Sequence, residues 1–371
     1  MKSINPKTLL SMKENFKHYN AILQINLKNI ENNYNYLKNI TPNSTIAACV
    51  KANSYGLGSS VICKSLYKLK CRDFFVATVD EALSLRLSYK NVNIYLLNGI
   101  STFETFFKIY NLNIITVINN MPQYYLVKKF FDITKKKIKC CLHIDSGMNR
   151  LGINYQDLIK NLSSFKKNLD IKIIISHLIS SEKKSKLNNT QLKLFTNIKS
   201  KCNFSKKVIF SLGNSNSTFL INKFHFDMIR AGGYIYGLDL SNKNKSKNVL
   251  TLKAKIIQIQ KVKKGKSIGY GAKYFTKKNS VIATLAIGYA DGLPRSYNGY
   301  AYYKGTKVKF VGNVSMDLSC LDISSIKNPK INDWVEIFGN NISISFFASK
   351  CSTIPYEISS KIGTRVKRIY N

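Results

Sequence analysis

Acidic side chains are scarce in this chain. Only 19 Asp and Glu stand against 58 Lys and Arg, which leaves a formal charge of +39. Such an excess invites a nucleic-acid or membrane-surface reading. The distribution argues against it. The lysines fall in small clusters along the whole length, such as Lys135 to Lys137, Lys183 and Lys184, and Lys277 and Lys278. They build no long basic arm and no basic face with interleaved aromatics. Free use of Lys, Asn and Ile throughout, as from coding DNA rich in A and T, accounts for the charge, and no nucleic-acid partner is expected. The 8 cysteines contain no CxxC pair and no Cys/His metal spacing, so no metal site is expected. They read as thiols of a reducing cytoplasm. No apolar run approaches the roughly 18 residues needed to span a bilayer. Lysines break the first twenty residues before the apolar segment of a secretion signal can form. A cytoplasmic protein with no membrane partner is expected. A Pro/Ser-rich linker, a low-complexity tail and sequence repeats are also lacking.

What is present is a rhythm. Short apolar, β-branched runs alternate with longer amphipathic stretches. The runs are TIAACVKA (45–52), FFVATV (74–79), NIYLLNG (93–99), NIITVINN (113–120), IKCCLHID (138–145), IKIIISHL (171–178), KVIFSLGN (207–214) and FDMIRAGG (226–233). Continuous apolar runs mark strands buried on both faces, hence parallel. About eight strand–helix repeats are the pattern of a (β/α)8 TIM-like barrel. A doubly wound open sheet has the same local pattern, and periodicity does not separate the two. Near residue 250 alternating strands take over, as in LTLKAKIIQIQKV and DWVEIFG. The expected organisation is an α/β barrel over residues 20–245 followed by a mainly-β domain over 246–371.

In parallel barrels chemistry gathers where strands end. Here several strands run into polar groups: Lys51 after the first, Asp145 and Arg150 after the fifth, His177 after the sixth. The seventh ends on Asn214 and Ser215, and the eighth on Arg230 with the glycine pair Gly232 and Gly233. A lysine at a barrel mouth can form a Schiff base. Paired glycines let the backbone approach an anion, and a hydroxyl at a helix start favours phosphate. Lysine and a phosphate cup together suggest pyridoxal 5′-phosphate, and Arg230 is available for its ring nitrogen.

The motifs VKANSYGLG, IDSGMNRLG, SHL, GNSNS, RAGGYIYG, GYGAKYFT, IGYADGLPR and VSMD, in this order over residues 20 to 370, resemble those of the bacterial alanine racemases, pyridoxal-phosphate enzymes of fold type III. The resemblance implies interconversion of L- and D-alanine, supplying D-alanine for peptidoglycan. Lys51 would carry the cofactor and act as base on one face of the substrate α-carbon. Tyr270 would be the opposite base, reaching in from the other subunit of a homodimer with shared active sites. His177 and Arg230 would link that tyrosine to the ring nitrogen. Tyr55, Ser215, Gly232, Gly233 and Tyr356 match the phosphate cup, with Asn214 beside it. Arg150 and Met316 match substrate-carboxylate contacts, Arg150 also lying near the cofactor's phenolic oxygen. Tyr289 matches a position at the substrate entrance.

Two positions depart from the family pattern. His143 stands where many relatives have a lysine, often carbamylated, that props the arginine matching Arg150, so Arg150 must find another partner, a bound anion or Asp145. Leu57 stands where relatives often carry histidine. The alternatives are a racemase of broader range that accepts serine or other small amino acids, and a pyridoxal-phosphate-binding barrel protein that catalyses nothing. Proteins of the latter kind lack a β domain and the opposing tyrosine.

Overall fold

The chain is described here by a computed structural model over residues 18–238 and 246–371. It divides into two compact units, Asn26–Val249 and Leu250–Asn371, the second joined by the chain up to Ile25.

The strands, in chain order, begin with β1 (Ala21–Ile25). Then come β2 (Thr45–Cys49), β3 (Asp73–Val76), β4 (Asn93–Leu96), β5 (Ile115–Ile118) and β6 (Ile138–His143). β7 (Leu169–Ile175), β8 (Ile209–Ser211) and β9 (Met228–Ala231) follow. In the unit Asn26–Val249, β2 to β9 are parallel in the order β8-β7-β6-β5-β4-β3-β2-β9. Each strand from β2 to β8 lies beside its sequence neighbours, which a doubly wound sheet, with its reversal of strand order, does not allow. The ring closes between β9 and the chain just after β8. There Asn214 and Arg230 form a parallel bridge, and the Arg230 N–H donates to the Gly213 carbonyl at 3.0 Å. This is the expected (β/α)8 TIM-like barrel.

The barrel centre is packed with side chains. Phe75, Tyr95, Val117, Cys141, Ile173 and Met228 belong to one buried cluster, and the Phe75 and Tyr95 rings stack at 4.4 Å. Most of the helices around it start on side-chain caps. Asn26, Thr78, Thr102, Asn120, Asn154 and Ser185 each accept a hydrogen bond from an amide of the first turn. Several of the abundant asparagines are thus helix starts.

The second unit is built on β10 (Leu250–Val262), long enough to serve two partners. Its first half pairs with Trp334–Phe338 and its second half with Ser280–Leu285, either side of a bulge at Ile256. Those pairings close six strands into a ring. β1 lies in this sheet, antiparallel to β10 and parallel to Lys367–Tyr370. The barrel expected to begin at residue 20 therefore begins after Ile25. AILQI reads as a strand in either unit, and only its pairing partner decides which. The expected boundary at 245 lies outside the described residues.

Ile173→Ala removes a fully enclosed side chain from the barrel centre. A loss of about 2–5 kcal/mol in unfolding free energy is expected, measured by urea unfolding followed by circular dichroism.

Candidate active site

β2 leads through buried Val50 to half-buried Lys51. The backbone then turns the wrong way for L-residues. Ala52, Asn53, Ser54 and Tyr55 have φ between 50° and 57°, and Gly56 follows at 87°. Each such non-glycine residue costs about 1–3 kcal/mol, so the surroundings must hold the turn. Backbone bonds from Ser54 N–H to Val50 and from Gly56 N–H to Ala52, both 2.8 Å, close it from within. From outside, Glu81 accepts the Ala52 N–H at 2.6 Å. Asn53 Oδ1 accepts the Ser59 N–H at 2.7 Å, tying the turn to the helix Ser59–Lys68.

The turn delivers Tyr55 to the glycine pair after β9. Its ring packs on Tyr236 at 5.1 Å, and the Tyr236 hydroxyl donates to the Cys49 carbonyl at 2.8 Å. A Cβ on Gly232 would lie 2.5 Å from the Tyr55 hydroxyl oxygen, so glycine lets Tyr55 sit where it does and any larger residue would push it aside. Ser215 Oγ accepts the Gly232 N–H at 2.8 Å. Gly233 opens a tight turn whose carbonyl accepts the Leu238 N–H at 2.8 Å. The Asn214 side chain is committed to local structure: its oxygen takes the Asn216 and Ser217 N–H groups, and its nitrogen donates to Ser181 Oγ. Asn214 thus positions Ser215, and the Tyr55 and Ser215 hydroxyls gather beside the backbone of Gly232.

Arg230 lies on β9 and is buried. One terminal nitrogen donates to the Ser211 carbonyl at 2.7 Å and to Ser211 Oγ at 2.6 Å. The other donates to the Ser176 carbonyl and faces His177 Nδ1 at 3.3 Å. The Nε–H has no partner among the described residues. An arginine offers only donors, so Nδ1 of His177 is the acceptor and Nε2 carries the ring proton. Burial, then Arg230, Arg150, Lys51 and His143, push His177 down to about 3, so the imidazole is neutral. Gln191 steadies this strand end through the His177 carbonyl at 2.8 Å.

His143 ends β6. Its Nδ1 faces Asn119 Oδ1 at 2.8 Å, and the Asn119 amide nitrogen donates to the Leu97 carbonyl. That fixes oxygen towards His143, which therefore holds its proton on Nδ1. Burial and Arg230 push His143 down to about 4, and Arg150 adds to the effect. Arg150 itself is exposed, with no hydrogen bond or ion pair among the described residues. Asp145 is not its partner. Both Asp145 oxygens are taken by backbone N–H groups of Gly147, Met148 and Asn149.

Tyr270, Tyr289, Met316 and Tyr356 lie in the second unit. Tyr270 sits on a short 3-10 turn and is 70% exposed, and Met316 is 54% exposed. The GYADG and SMD turns interlock. Tyr289 and Ala290 N–H donate to the Ser315 and Met316 carbonyls at 3.0 and 2.9 Å, and a Cβ on Gly288 would meet the Met316 oxygen at 2.2 Å. Arg365 clasps both turns through Asp291 and Asp317. Tyr289 also lines a cavity of about 440 Å³ with Leu293, Pro294 and Ile358.

Sequence reasoning did not single out Glu81, Ser176, Ser211, Gln191 or Arg365. The only local signal for any of them is the TVDE capping pattern, which marks Glu81 as a helix-start residue and nothing more.

A parallel barrel with a lysine at one strand end, and a glycine pair, a hydroxyl cluster and a buried guanidinium at and beyond the neighbouring strand, defines a cofactor-dependent enzyme of the barrel class. The known relatives agree with this and narrow it. The family models for the alanine racemase N-terminal and C-terminal domains match residues 25–240 and 249–370. The chain belongs to the alanine racemase family. It is 39% identical to the alanine racemase of Rickettsia akari over 94% of this chain and 98% of that one. Among solved structures, the alanine racemase of Bartonella henselae with covalently bound pyridoxal phosphate is 34% identical. It matches with a TM-score of 0.90 over 95% of this chain and 99% of that one. The biosynthetic alanine racemase of Pseudomonas aeruginosa, 28% identical, gives 0.88 over the same shares. Among the described residues no helix is long and apolar enough to cross a membrane.

Two predictions follow from the geometry. Gly232→Ala forces Tyr55 aside and is expected to weaken pyridoxal-phosphate binding about tenfold or more, with little change in fold, as equilibrium dialysis would measure. His143 and His177 bind protons more weakly folded than unfolded. Their contribution to stability is complete above the ordinary value of 6.5 and is lost as pH falls from there towards about 4 for His143 and about 3 for His177. The decline is up to about 1.4 kcal/mol per pH unit for each histidine. Urea unfolding between pH 4 and 8 reads the slope, and His143→Gln should make it shallower.

Proposed function

We infer that this chain interconverts L- and D-alanine on pyridoxal phosphate, moving the α-proton between two bases, Lys51 and Tyr270. The observation that carries the reading is the buried Arg230 guanidinium, bonded on both terminal nitrogens and left with one donor at Nε among the described residues.

The cofactor, attached at Lys51, supplies an electron sink for the α-carbon when its proton leaves. Tyr55, Ser215, Gly232, Gly233 and Tyr356 hold its phosphate. Arg230, with its terminal nitrogens committed, would offer its Nε–H to the ring nitrogen. Arginine hydrogen-bonds that nitrogen without giving it a proton. The sink would therefore be weaker than one backed by a carboxylic acid, which would favour return of a proton over transamination. Arg150 and the Met316 backbone bind the substrate carboxylate, and Tyr289 guards the entrance.

A free phenol loses its proton near pH 10. His177 supports activation of Tyr270: neutral, and holding its proton on Nε2, it donates to a phenolate and does not compete for the proton. Tyr270 and Met316 are exposed on the second unit, which fits their use in a neighbouring chain. We propose a homodimer in which Tyr270 of the partner subunit faces Lys51. We also propose a cytoplasmic enzyme that supplies D-alanine for peptidoglycan.

Racemisation of L-alanine in D2O by the pyridoxal-phosphate-loaded protein tests this, followed by circular dichroism and NMR of the α-proton. Loss of optical activity with deuterium at the α-carbon is expected. Lys51→Ala should abolish covalent cofactor capture and racemisation, and retained racemisation sinks the assignment. Tyr270→Ala should slow both directions, with the larger loss in proton removal from L-alanine. Activity on serine in place of alanine would mark a wider pocket.

A further inference from the structure

We propose that Glu81 is the positioning residue for the attachment lysine: its carboxylate locks the left-handed turn that aims Lys51 into the barrel mouth. This rests on the reading that Lys51 carries the cofactor.

Glu81 stands in the first turn of the helix Val79–Ser88 and divides its two oxygens between two strand ends. Oε1 accepts the Ala52 N–H at 2.6 Å, on the residue directly after Lys51. Oε2 accepts the N–H groups of Ala77 at 2.8 Å and Thr78 at 3.3 Å, just beyond β3. One carboxylate thus ties the chain leaving β2 to the chain leaving β3. The helix N-terminus stabilises its negative charge.

The turn needs such a tie. Four consecutive non-glycine residues sit at positive φ, a conformation L-residues leave when nothing holds them. Inside the turn, the amides of Ser54, Gly56, Leu57 and Gly58 bond to backbone carbonyls of residues 50 to 54. The Ala52 amide goes outside the turn, to Glu81. A right-handed continuation would carry Tyr55 away from Gly232 and re-aim Lys51 together with it. The bond is charge-assisted and short, of the stronger kind.

A helix cap alone would also explain a glutamate at this position. The capping box joins Glu81 to Thr78, and the two roles separate by mutation. Thr78→Ala removes the hydroxyl that accepts the Glu81 N–H and leaves the bond to Ala52. Glu81→Ala removes the carboxylate's bonds to the Ala52, Ala77 and Thr78 N–H groups and leaves the residue-81 N–H on the Thr78 hydroxyl. Glu81→Gln keeps one acceptor oxygen and must turn its NH2 towards an N–H, so it should fall between.

Two readouts apply: amide hydrogen exchange of residues 52–56 in the cofactor-free protein, and pyridoxal-phosphate affinity with borohydride trapping and peptide mapping of the modified lysine. Losing a hydrogen bond to a charged group corresponds to about 10- to 100-fold. Glu81→Ala is therefore expected to speed exchange at 52–56 and weaken capture at Lys51 by about that factor. Thr78→Ala should leave both within about twofold while lowering Tm as a lost cap does. If Glu81→Ala and Glu81→Gln behave like Thr78→Ala in both readouts, the proposal is overturned. If the wild-type protein traps the cofactor on another lysine, the Lys51 reading falls, and the exchange data alone decide whether Glu81 locks the turn.

Discussion

A guanidinium buried in a parallel barrel must be hydrogen-bonded wherever protein can reach it, because an unpaired buried charge is costly. Arg230 meets that demand with groups from two strand ends: Ser211 of β8, then Ser176 and His177 beyond β7. The same residue closes the barrel, its backbone bridging to Asn214. Closure of the fold and placement of the charge are therefore one event. A barrel that closed in another register would leave the guanidinium unsatisfied, and one lacking the guanidinium would leave the Ser211 hydroxyl and the Ser176 carbonyl without their donor.

The histidine inherits its state from this arrangement. Because arginine can only donate, His177 has to accept at Nδ1 and hold its proton at Nε2. Burial and the neighbouring cations then keep it neutral. His143 is neutral for a similar reason but in the opposite tautomer, since Asn119 presents oxygen to its Nδ1. Two imidazoles on adjacent strand ends thus face the mouth with different atoms, one a donor and one an acceptor. Neither adds a positive charge to a region that already holds Lys51, Arg150 and Arg230.

Much of this was legible in the residues. Runs such as IKCCLHID and IKIIISHL are apolar on both faces, so the eight strands and their parallel pairing could be read directly. The polar residues at their ends marked the mouth. What escaped were features decided by distant partners. AILQI is a strand by composition, yet only β10 and Lys367–Tyr370 determine which sheet receives it. KANSY carries no glycine, so nothing local signals a left-handed turn. That handedness comes from Glu81, some thirty positions on, and from the close fit of Tyr55 over Gly232. Asp145 was a reasonable partner for Arg150 by charge. Its oxygens instead serve the backbone of the loop that bears Arg150, because a tight turn through Gly147 leaves amides that need an acceptor.

The overall charge of +39 and the site's own positive character are separate matters. Surface lysines spread along the chain act through water and are screened within about 10 Å at ordinary salt. The mouth is different. Arg230 is buried, Lys51 is half-buried, and the carboxylates of Asp145 and Glu81 are both held by backbone N–H donors. In that setting fixed donors and cations act at a lower effective dielectric than charges on the surface. Recognition of a phosphate and a carboxylate is thus supplied by a few residues held by strand ends. Reducing the surface charge should leave that recognition intact, whereas removing Ser211 or Glu81 disturbs groups that hold the mouth's cations in place.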